Sequence, residues 1–253
     1  MTFSYSSINT YNTCPYCFYL TYIERKERIN NFFAEYGLLT HQTFEEFFNG
    51  NLEIYELSRF YNDNYYVFCQ TPPPPYPAGM EDNYKREGQE FFDNFSFDKT
   101  KWETLGVEDT LYFDIWGKPF SGRPDIILRE KSTGNNYLVD VKTSKAFRKS
   151  KKTGYVYKDD DKLEGYYKQM HLYTYGLREY FGINIDKIMI WFTRPAKRHV
   201  IDWSKKREED SLEWVEDTLI KIFNDEDFAY DNSQAYFCQN ICSVRNDCIY
   251  KPD

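Results

Sequence analysis

Apolar and polar positions along this chain change period more than once. Over residues 29–49 (INNFFAEYGLLTHQTFEEFFN), Phe33, Gly37, Leu38, His41, Phe44, Phe47 and Phe48 recur at spacings of three and four. That is the spacing of one helix face, and His41 falls on or beside it. From residue 110 onward the runs become short and β-rich: TLYFDIWG, PDIILRE and NYLVDVKTS, separated by KPFSGR and KSTGN. Short polar connections favour antiparallel neighbours, so these three runs are expected to form a meander. Residues 161–181 read as a helix and DKIMIWFT as a further strand. Residues 207–225 read as an amphipathic helix with Leu212, Val215, Leu219, Ile222 and Phe223 inward. The proline-rich TPPPPYPAG at 71–79 favours an extended stretch and is expected to separate an N-terminal helical part from the central sheet. This order of elements predicts an α/β fold, a mixed sheet flanked by helices.

Length and composition narrow the function classes. At 253 residues one elaborated domain is expected: a helical part over 1–70, a core over 105–200, and a C-terminal helix with a cysteine cluster over 201–253. Aromatics make up 20% of the chain, with 24 Tyr and 21 Phe, so large rings must supply much of the packing. The net charge of -8 argues against a protein that coats nucleic acid indiscriminately, and leaves room for a local basic strip. MTFSYSSINTYNTC has no basic n-region followed by an apolar run, and no segment approaches the roughly 18–20 apolar residues a bilayer requires. No membrane association and a cytoplasmic location are therefore expected.

In a reducing compartment, clustered cysteines read as metal ligands rather than disulfides. The tail FCQNICSVRNDCIY holds Cys238, Cys242 and Cys248, while a tetrahedral or cluster site wants four thiolates. Cys14 and Cys17 near the N-terminus are the candidates for the fourth, and the set would suit zinc or an iron-sulfur cluster. A Cys14–Cys17 redox pair lacks the βαβ context it would need. Cys69, alone in YVFCQ, reads as a buried apolar residue.

In PDIILREKSTGNNYLVDVKTSK, Asp140 and Lys142 are two apart in a strand and share a face, and a neighbouring strand can bring Asp125 within reach. Asp-x-Lys alone also makes an ordinary surface ion pair. Converging carboxylates repel, and a hard divalent cation such as Mg2+ resolves the repulsion while polarising a phosphoryl oxygen. Directly afterwards, KTSKAFRKSKKTGYVYK packs Lys145, Arg148, Lys149, Lys151 and Lys152 among aromatics, suited to phosphates and unpaired bases. No GxxxxGK[ST] segment occurs, so any unwinding motor would be a separate protein.

Taken in order, GLLTH, GRPDIIL, LVDVKTS and QMHLYTYGL resemble the successive motifs of the PD-(D/E)XK nuclease superfamily, specifically its RecB-like exonuclease branch. The resemblance implies a restriction-endonuclease-like core. It implies that His41, Asp125, Asp140 and the Val141 carbonyl bind Mg2+ or Mn2+, that Lys142 is the catalytic lysine, and that Gln169 and Tyr173 form the helical Gln-x3-Tyr motif. Glu45, one turn beyond His41, is a candidate to orient it. TCP resembles the N-terminal Cys-Pro of the four-cysteine subset, which includes the nucleases of CRISPR adaptation. That likeness implies Cys14 joined to Cys238, Cys242 and Cys248 around a [4Fe-4S] cluster, with Zn2+ as the alternative. Three residues separate Cys238 from Cys242 where that subset has two, so Cys17 stays open as a substitute ligand. The implied activity is a metal-dependent exonuclease acting on single-stranded DNA ends or flaps in recombination, repair or CRISPR-type processing. A helicase, recombination protein or CRISPR integrase would be the partner. A non-catalytic single-strand-binding subunit on the same scaffold is the alternative.

Overall fold

The computed structural model describes residues 1–144, 147–149, 156–158, 160–194, 196–231 and 235–250, with side chains described outside 145–161. The chain begins with a short strand-like bridge, Phe3 to Phe120, and helix α1 (Tyr5–Thr13). Ser4 and Ser7 cap that helix reciprocally, each hydroxyl accepting the other residue's amide. Cys14 breaks the helix in extended conformation, and Pro15 opens α2 (Pro15–Phe18), which continues as a π-helical turn over Tyr19–Ile23.

Three helices follow: α3 (Phe32–Phe48), α4 (Leu57–Phe68) and α5 (Met80–Asp93). They pack through Tyr36, Leu39, Phe44, Phe47, Tyr61, Tyr65, Phe91 and Phe92. The proline stretch therefore does not end the helical layer, which runs on to Asp93. The inward face of α3 also differs from the expected one. Tyr36, Leu39, Thr40, Thr43, Phe44 and Phe47 are buried, whereas Leu38 is 58% exposed. The hydroxyls of Thr40 and Thr43 donate to the carbonyls of Tyr36 and Leu39 within the helix, which lets threonine pack as an apolar residue.

The main sheet has the order β1 (Trp102–Val107), β4 (Ile126–Glu130), β5 (Asn136–Lys142), β8 (Lys187–Thr193), β9 (Ala196–Asp202). The β5–β8 pair is parallel and the other pairs antiparallel, so the sheet is mixed. The β4–β5 hairpin pairs as expected, but TLYFDIWG does not join it. Its strand β2 (Leu111–Ile115) folds back on β3 (Lys118–Gly122) as a separate two-stranded sheet. Trp116 and Gly117, with φ of 48° and 72°, form the two-residue turn that closes this hairpin. The strand on the outer side of β4 is β1 instead. A second small hairpin pairs β6 (Phe147–Lys149) with β7 (Val156–Lys158).

Helix α6 (Asp160–Phe181) connects β5 to its parallel neighbour, as parallel pairing demands. With α7 (Lys205–Asn224) and the β2–β3 hairpin, it covers the sheet face that carries Ile127, Leu138 and Ile188. The opposite face, carrying Ile126, Leu128, Val139, Val141, Met189 and Trp191, lies against α3–α5. Val215, Leu219 and Ile222 of α7 are inward as expected, while Phe223 is 58% exposed, with the Lys118 ammonium over its ring. Buried Glu208 accepts from Arg178, Thr174 and Trp203, joining α6, α7 and the end of β9. The chain closes with α8 (Ala235–Asn240) and a run of turns.

Candidate active site and thiol pocket

Strand period and register place the central residues. Asp140 and Lys142 have the parity of Leu138, so they point to the α6 face; the pairing of Ile126 with Val139 sets Asp125 opposite Asp140. Asp125 Oδ2 accepts the Val141 amide at 2.6 Å, which spans the two strands at the point where they diverge. The Lys142 ammonium nitrogen lies 3.0 Å from Asp140 Oδ1 and 2.8 Å from Oδ2, and donates to Gln169 Oε1 at 3.1 Å. Gln169 in turn donates to the Tyr173 hydroxyl one helical turn on, at 3.1 Å. A Cβ at Gly122 would stand 2.5 Å from the Tyr173 ring, so glycine ends β3 there because the ring passes against its backbone.

His41 of α3 approaches from the other helical layer. Its Nδ1 lies 3.4 Å from Asp125 Oδ1 and 3.2 Å from Glu108 Oε1. Glu108 sits in the turn after β1 with φ of 52°, its amide donating to the Asp125 carbonyl at 2.9 Å. Arg123 holds Glu108 from outside, its Nε 2.9 Å from Oε2 and 2.7 Å from the main-chain oxygen. Glu45, expected beside His41, lies 4.0 Å from Arg123 instead, and Glu108 occupies the position that would orient the imidazole.

Two tyrosines complete the surroundings of Lys142. The Tyr166 ring lies 4.9 Å from the ammonium, and its hydroxyl is 2.6 Å from Ser144 Oγ. The Tyr5 hydroxyl lies beside Gly165, 3.1 Å from where a Cβ would be. Burial pushes the Tyr5 phenol up to about 12, against the Lys142 charge.

The electrostatics of the cluster are those of fixed charges facing each other in a largely buried site. Burial raises the Asp140 carboxyl to about 6, with Lys142 opposing and Asp125 adding to the rise. Burial works the same way on Asp125, yet the His41 and Lys142 cations bring it below the ordinary carboxylate range. For Lys142, burial disfavours the ammonium, but Asp140 and Asp125 outweigh it and raise its pKa. Burial also opposes charge on His41; Asp125 and then Glu108 overcome it and lift the imidazole to about 10.

The donor set suits a hard divalent cation. Ligand atoms of His41, Glu108 and Asp125 lie within 4.8 Å of one another. Asp140 Oδ2, buried and ion-paired with the Lys142 ammonium at 2.8 Å, has no other polar partner meeting hydrogen-bond geometry among the described residues. One imidazole with carboxylate oxygens is a donor set that can hold a divalent metal ion.

The predicted basic strip lies largely outside the described residues. Lys145, Lys151 and Lys152 fall outside the described residues, as do the side chains of Arg148 and Lys149.

The cysteines gather in a second place. Cys14, Cys17, Cys238, Cys242 and Cys248 line one pocket with Leu20, Tyr230, Phe237, Val244 and Arg245. Cys17 Sγ lies 3.4 Å from Cys242 Sγ. The Cys248 thiol is raised by burial and by the charges of Cys242, Cys14 and Cys238. Cys69 is buried apart from them, within the α3–α5 core, as expected.

A five-stranded mixed sheet flanked by helices, with two aspartates and a lysine meeting where β4 and β5 diverge, defines a restriction-endonuclease-like nuclease scaffold. Residues 2–249 match the family model of the PD-(D/E)XK nuclease superfamily, and the chain belongs to that superfamily. Nucleases of this superfamily use divalent metals and act on DNA. Among solved structures, a candidate exonuclease from Eubacterium rectale superposes with a TM-score of 0.60 at 16% identity, covering 100% of this chain and 90% of its own. That likeness shows the fold. SSO0001 aligns over 86% of this chain and 97% of its own at 17% identity, with a TM-score of 0.35. No curated protein sequence matches. Among the described residues no helix is long and apolar enough to cross a membrane.

Proposed function

We propose that the chain is a RecB-like, Mg2+- or Mn2+-dependent deoxyribonuclease that hydrolyses phosphodiester bonds at single-stranded DNA ends or flaps. The observation that carries this reading is the bonded chain of Asp140, Lys142 and Gln169, with Asp125 accepting the Val141 amide beside it and His41 and Glu108 against one another and Asp125. His41, Glu108, Asp125, Asp140 and the Val141 carbonyl would hold the cation. When bound, the cation polarises a phosphoryl oxygen and makes hydroxide accessible from water near neutral pH.

The chain's own residues do the rest. Lys142 keeps its ammonium fixed between Asp140 and Gln169, a preset positive charge for the oxyanion that develops on phosphorus. Gln169 and Tyr173 set the direction of that ammonium from α6. Arg123, 56% exposed at the side chain, stands at the mouth of the site where a phosphate would enter. The preference for single strands rests on the sequence from Lys145 to Lys152, in which five cations flank one stacking aromatic, Phe147, shortly after Lys142.

The five thiols lining one pocket support a thiolate-bound metal group there, a [4Fe-4S] cluster or zinc, which would clasp the two ends of the chain. A cytoplasmic location suits free thiols of this kind. The substrate would be delivered by a separate helicase, recombination protein or CRISPR integrase. Capture of a tagged chain from its own cells distinguishes among these partners.

The deciding experiment incubates wild type, Asp140→Asn and Lys142→Ala with end-labelled linear single strands, duplexes and circular single strands in Mg2+ or Mn2+. Linear single strands are expected to shorten from an end, with a loss of about 100-fold or more in either variant. Full cleavage by either variant would overturn the mechanism, and cutting of the circle would overturn the exonuclease assignment. Tight single-strand binding without cleavage by wild type would favour the binding-subunit reading.

A further inference from the structure

Of the tyrosine hydroxyls described around Lys142, the fold engages those of Tyr166 and Tyr173 and leaves that of Tyr5. The Tyr166 hydroxyl lies 2.6 Å from Ser144 Oγ, and the Tyr173 hydroxyl accepts from Gln169 at 3.1 Å. The Tyr5 hydroxyl bonds to no group among the described residues, and its oxygen is not sealed from solvent. It lies against α6 at Gly165, where a Cβ would stand 3.1 Å from it. Gly165, Gln169 and Tyr173 follow one another at intervals of four, so they share the face of α6 that looks onto Lys142. Besides burial, the groups that act on the Tyr5 phenol are Lys142, Tyr166, Asp140 and Tyr173, all in or beside the candidate active site.

The chain holds Tyr5 in place without help from that oxygen. The Phe3 amide donates to the Pro119 carbonyl and its carbonyl accepts the Ser121 amide, both at 2.8 Å, which ties the start of the chain to β3. Ser4 and Ser7 cap the helix that Tyr5 opens. The Tyr5 ring packs on Trp214 of α7 with centroids 5.8 Å apart. Phenylalanine would make every one of these contacts. A phenol has a proton to give at neutral pH, and one that is partly buried normally finds an acceptor for it. The described residues supply none, so the acceptor is a group that enters the site.

Position along α6 says which group that is. With a rise of about 1.5 Å per residue, Gly165 lies about 6 Å along the helix from Gln169, which fixes the Lys142 ammonium. Neighbouring phosphates are about 3.4 Å apart along the axis of a stacked strand and farther apart in an extended one. When one phosphate lies at Lys142, the Tyr5 hydroxyl therefore stands beside the next.

We propose that Tyr5 is a substrate-binding residue whose hydroxyl donates to an oxygen of the phosphate flanking the scissile one. The inference rests on the reading that the chain cleaves DNA at Asp140 and Lys142, and adds a contact to that site. A contact one phosphate away from the breaking bond is made alike before and during the reaction, so it acts on KM and not on kcat.

The test uses the full chain, as wild type and Tyr5→Phe, with Mg2+ or Mn2+ and end-labelled single-stranded oligonucleotides. Each oligonucleotide carries one methylphosphonate, a linkage without charge, at a different position, and the first cleavage is followed. On unmodified strands Tyr5→Phe is expected to raise KM about five- to tenfold, the size of one hydrogen bond to a charged group, with kcat within about twofold and the same metal requirement. At one position beside the scissile linkage, the methylphosphonate is expected to raise the KM of wild type by a similar factor and that of Tyr5→Phe by no more than about twofold. An unchanged KM in Tyr5→Phe would overturn the inference. So would methylphosphonate penalties equal in the two proteins at every position, which would make the loss structural. A fall in kcat with a raised metal requirement would also overturn it, by making the hydroxyl part of the Lys142 cluster. Failure of wild type to cleave any strand would remove the underlying reading, and is seen before the variant is compared.

Discussion

Glu108 occupies a position in the candidate active-site cluster that its sequence context gives little hint of. It follows a strand in GVED, a turn that any solvent-facing acid could fill, yet its amide bonds the Asp125 carbonyl and its carboxylate reaches His41 and Arg123. By contrast, Asp140 with Lys142 and Gln169 with Tyr173 were legible because two local periods, two residues in a strand and four in a helix, pair them, and the short hairpin connection between β4 and β5 brings Asp125 opposite Asp140. Glu108 arrives through the register of β1 on β4, including an irregularity between Thr104 and Gly106, which no local period encodes. Its contribution can be isolated. Glu108→Gln keeps the size and the contact with Arg123 but removes a charge facing His41 and Asp125. Affinity for Mn2+, measured by calorimetry, is expected to fall about tenfold or more, with the fold intact. An unchanged affinity would leave Glu108 as a structural partner of Arg123 alone.

Helix α6 is the element on which the site depends, because the same surface that holds Gln169 and Tyr173 also packs the β2–β3 hairpin. The β-rich runs and the helix itself were readable from the sequence. The separation of TLYFDIWG into its own hairpin was not, because that choice lies in the positive φ of Trp116 and Gly117, and tryptophan does not announce such a turn. Similarly, apolar letters pointed to Leu38 on α3, while the structure buries Thr40 and Thr43 with their hydroxyls satisfied internally. Two glycines separate packing from chemistry. A Cβ at Gly122 would stand 2.5 Å from the Tyr173 ring, and one at Gly176 would stand 2.7 Å from the Phe113 ring. Either alanine substitution is expected to cost about 1–3 kcal/mol of stability in urea unfolding. Gly122→Ala should in addition lower kcat about tenfold or more, because a displaced Tyr173 releases Gln169 from Lys142. Gly176→Ala, well below its midpoint of unfolding, should not. Equal kcat for the two variants would show that the Gln169–Tyr173 bond has no part in the reaction.

At the scale of the whole molecule, the thiol pocket is tied to both helical layers that supply the candidate active site. Through α1 the connection is direct: Tyr5 stands by Gly165 at one end, Cys14 caps the other, and Asn12 and Tyr11 bond Thr218 and Asp225 around α7. Through α3 it is less expected. The amide of Ile29 donates to the Ser243 carbonyl, Asn31 both caps α3 and donates to the Ile241 carbonyl, and Arg245 donates to the Asn30 carbonyl. The cysteine spacing alone suggested that the chain ends meet; it held no sign that the C-terminal knot also sets the start of the helix that carries His41. Joining such distant positions restricts the unfolded chain by about 5 kcal/mol on the loop-closure relation, a contribution that a bound metal group would add to its own ligand bonds. Cys248→Ser removes one proposed ligand at the half-buried edge of the pocket, where the packing loss is least. It is expected to lower the Tm by several degrees and to raise the Mn2+ concentration needed for cleavage, because the α3 start and His41 lose their anchor together. Both effects should appear in wild type after the group is stripped by a chelator and excess Mn2+ is restored. A lower Tm with an unchanged Mn2+ requirement would confine the knot to stability. An unchanged Tm, with the metal group measurably gone, would show that the chain ends hold together by the Tyr16–Tyr250 and Tyr230–Tyr250 ring contacts and the main-chain bonds alone.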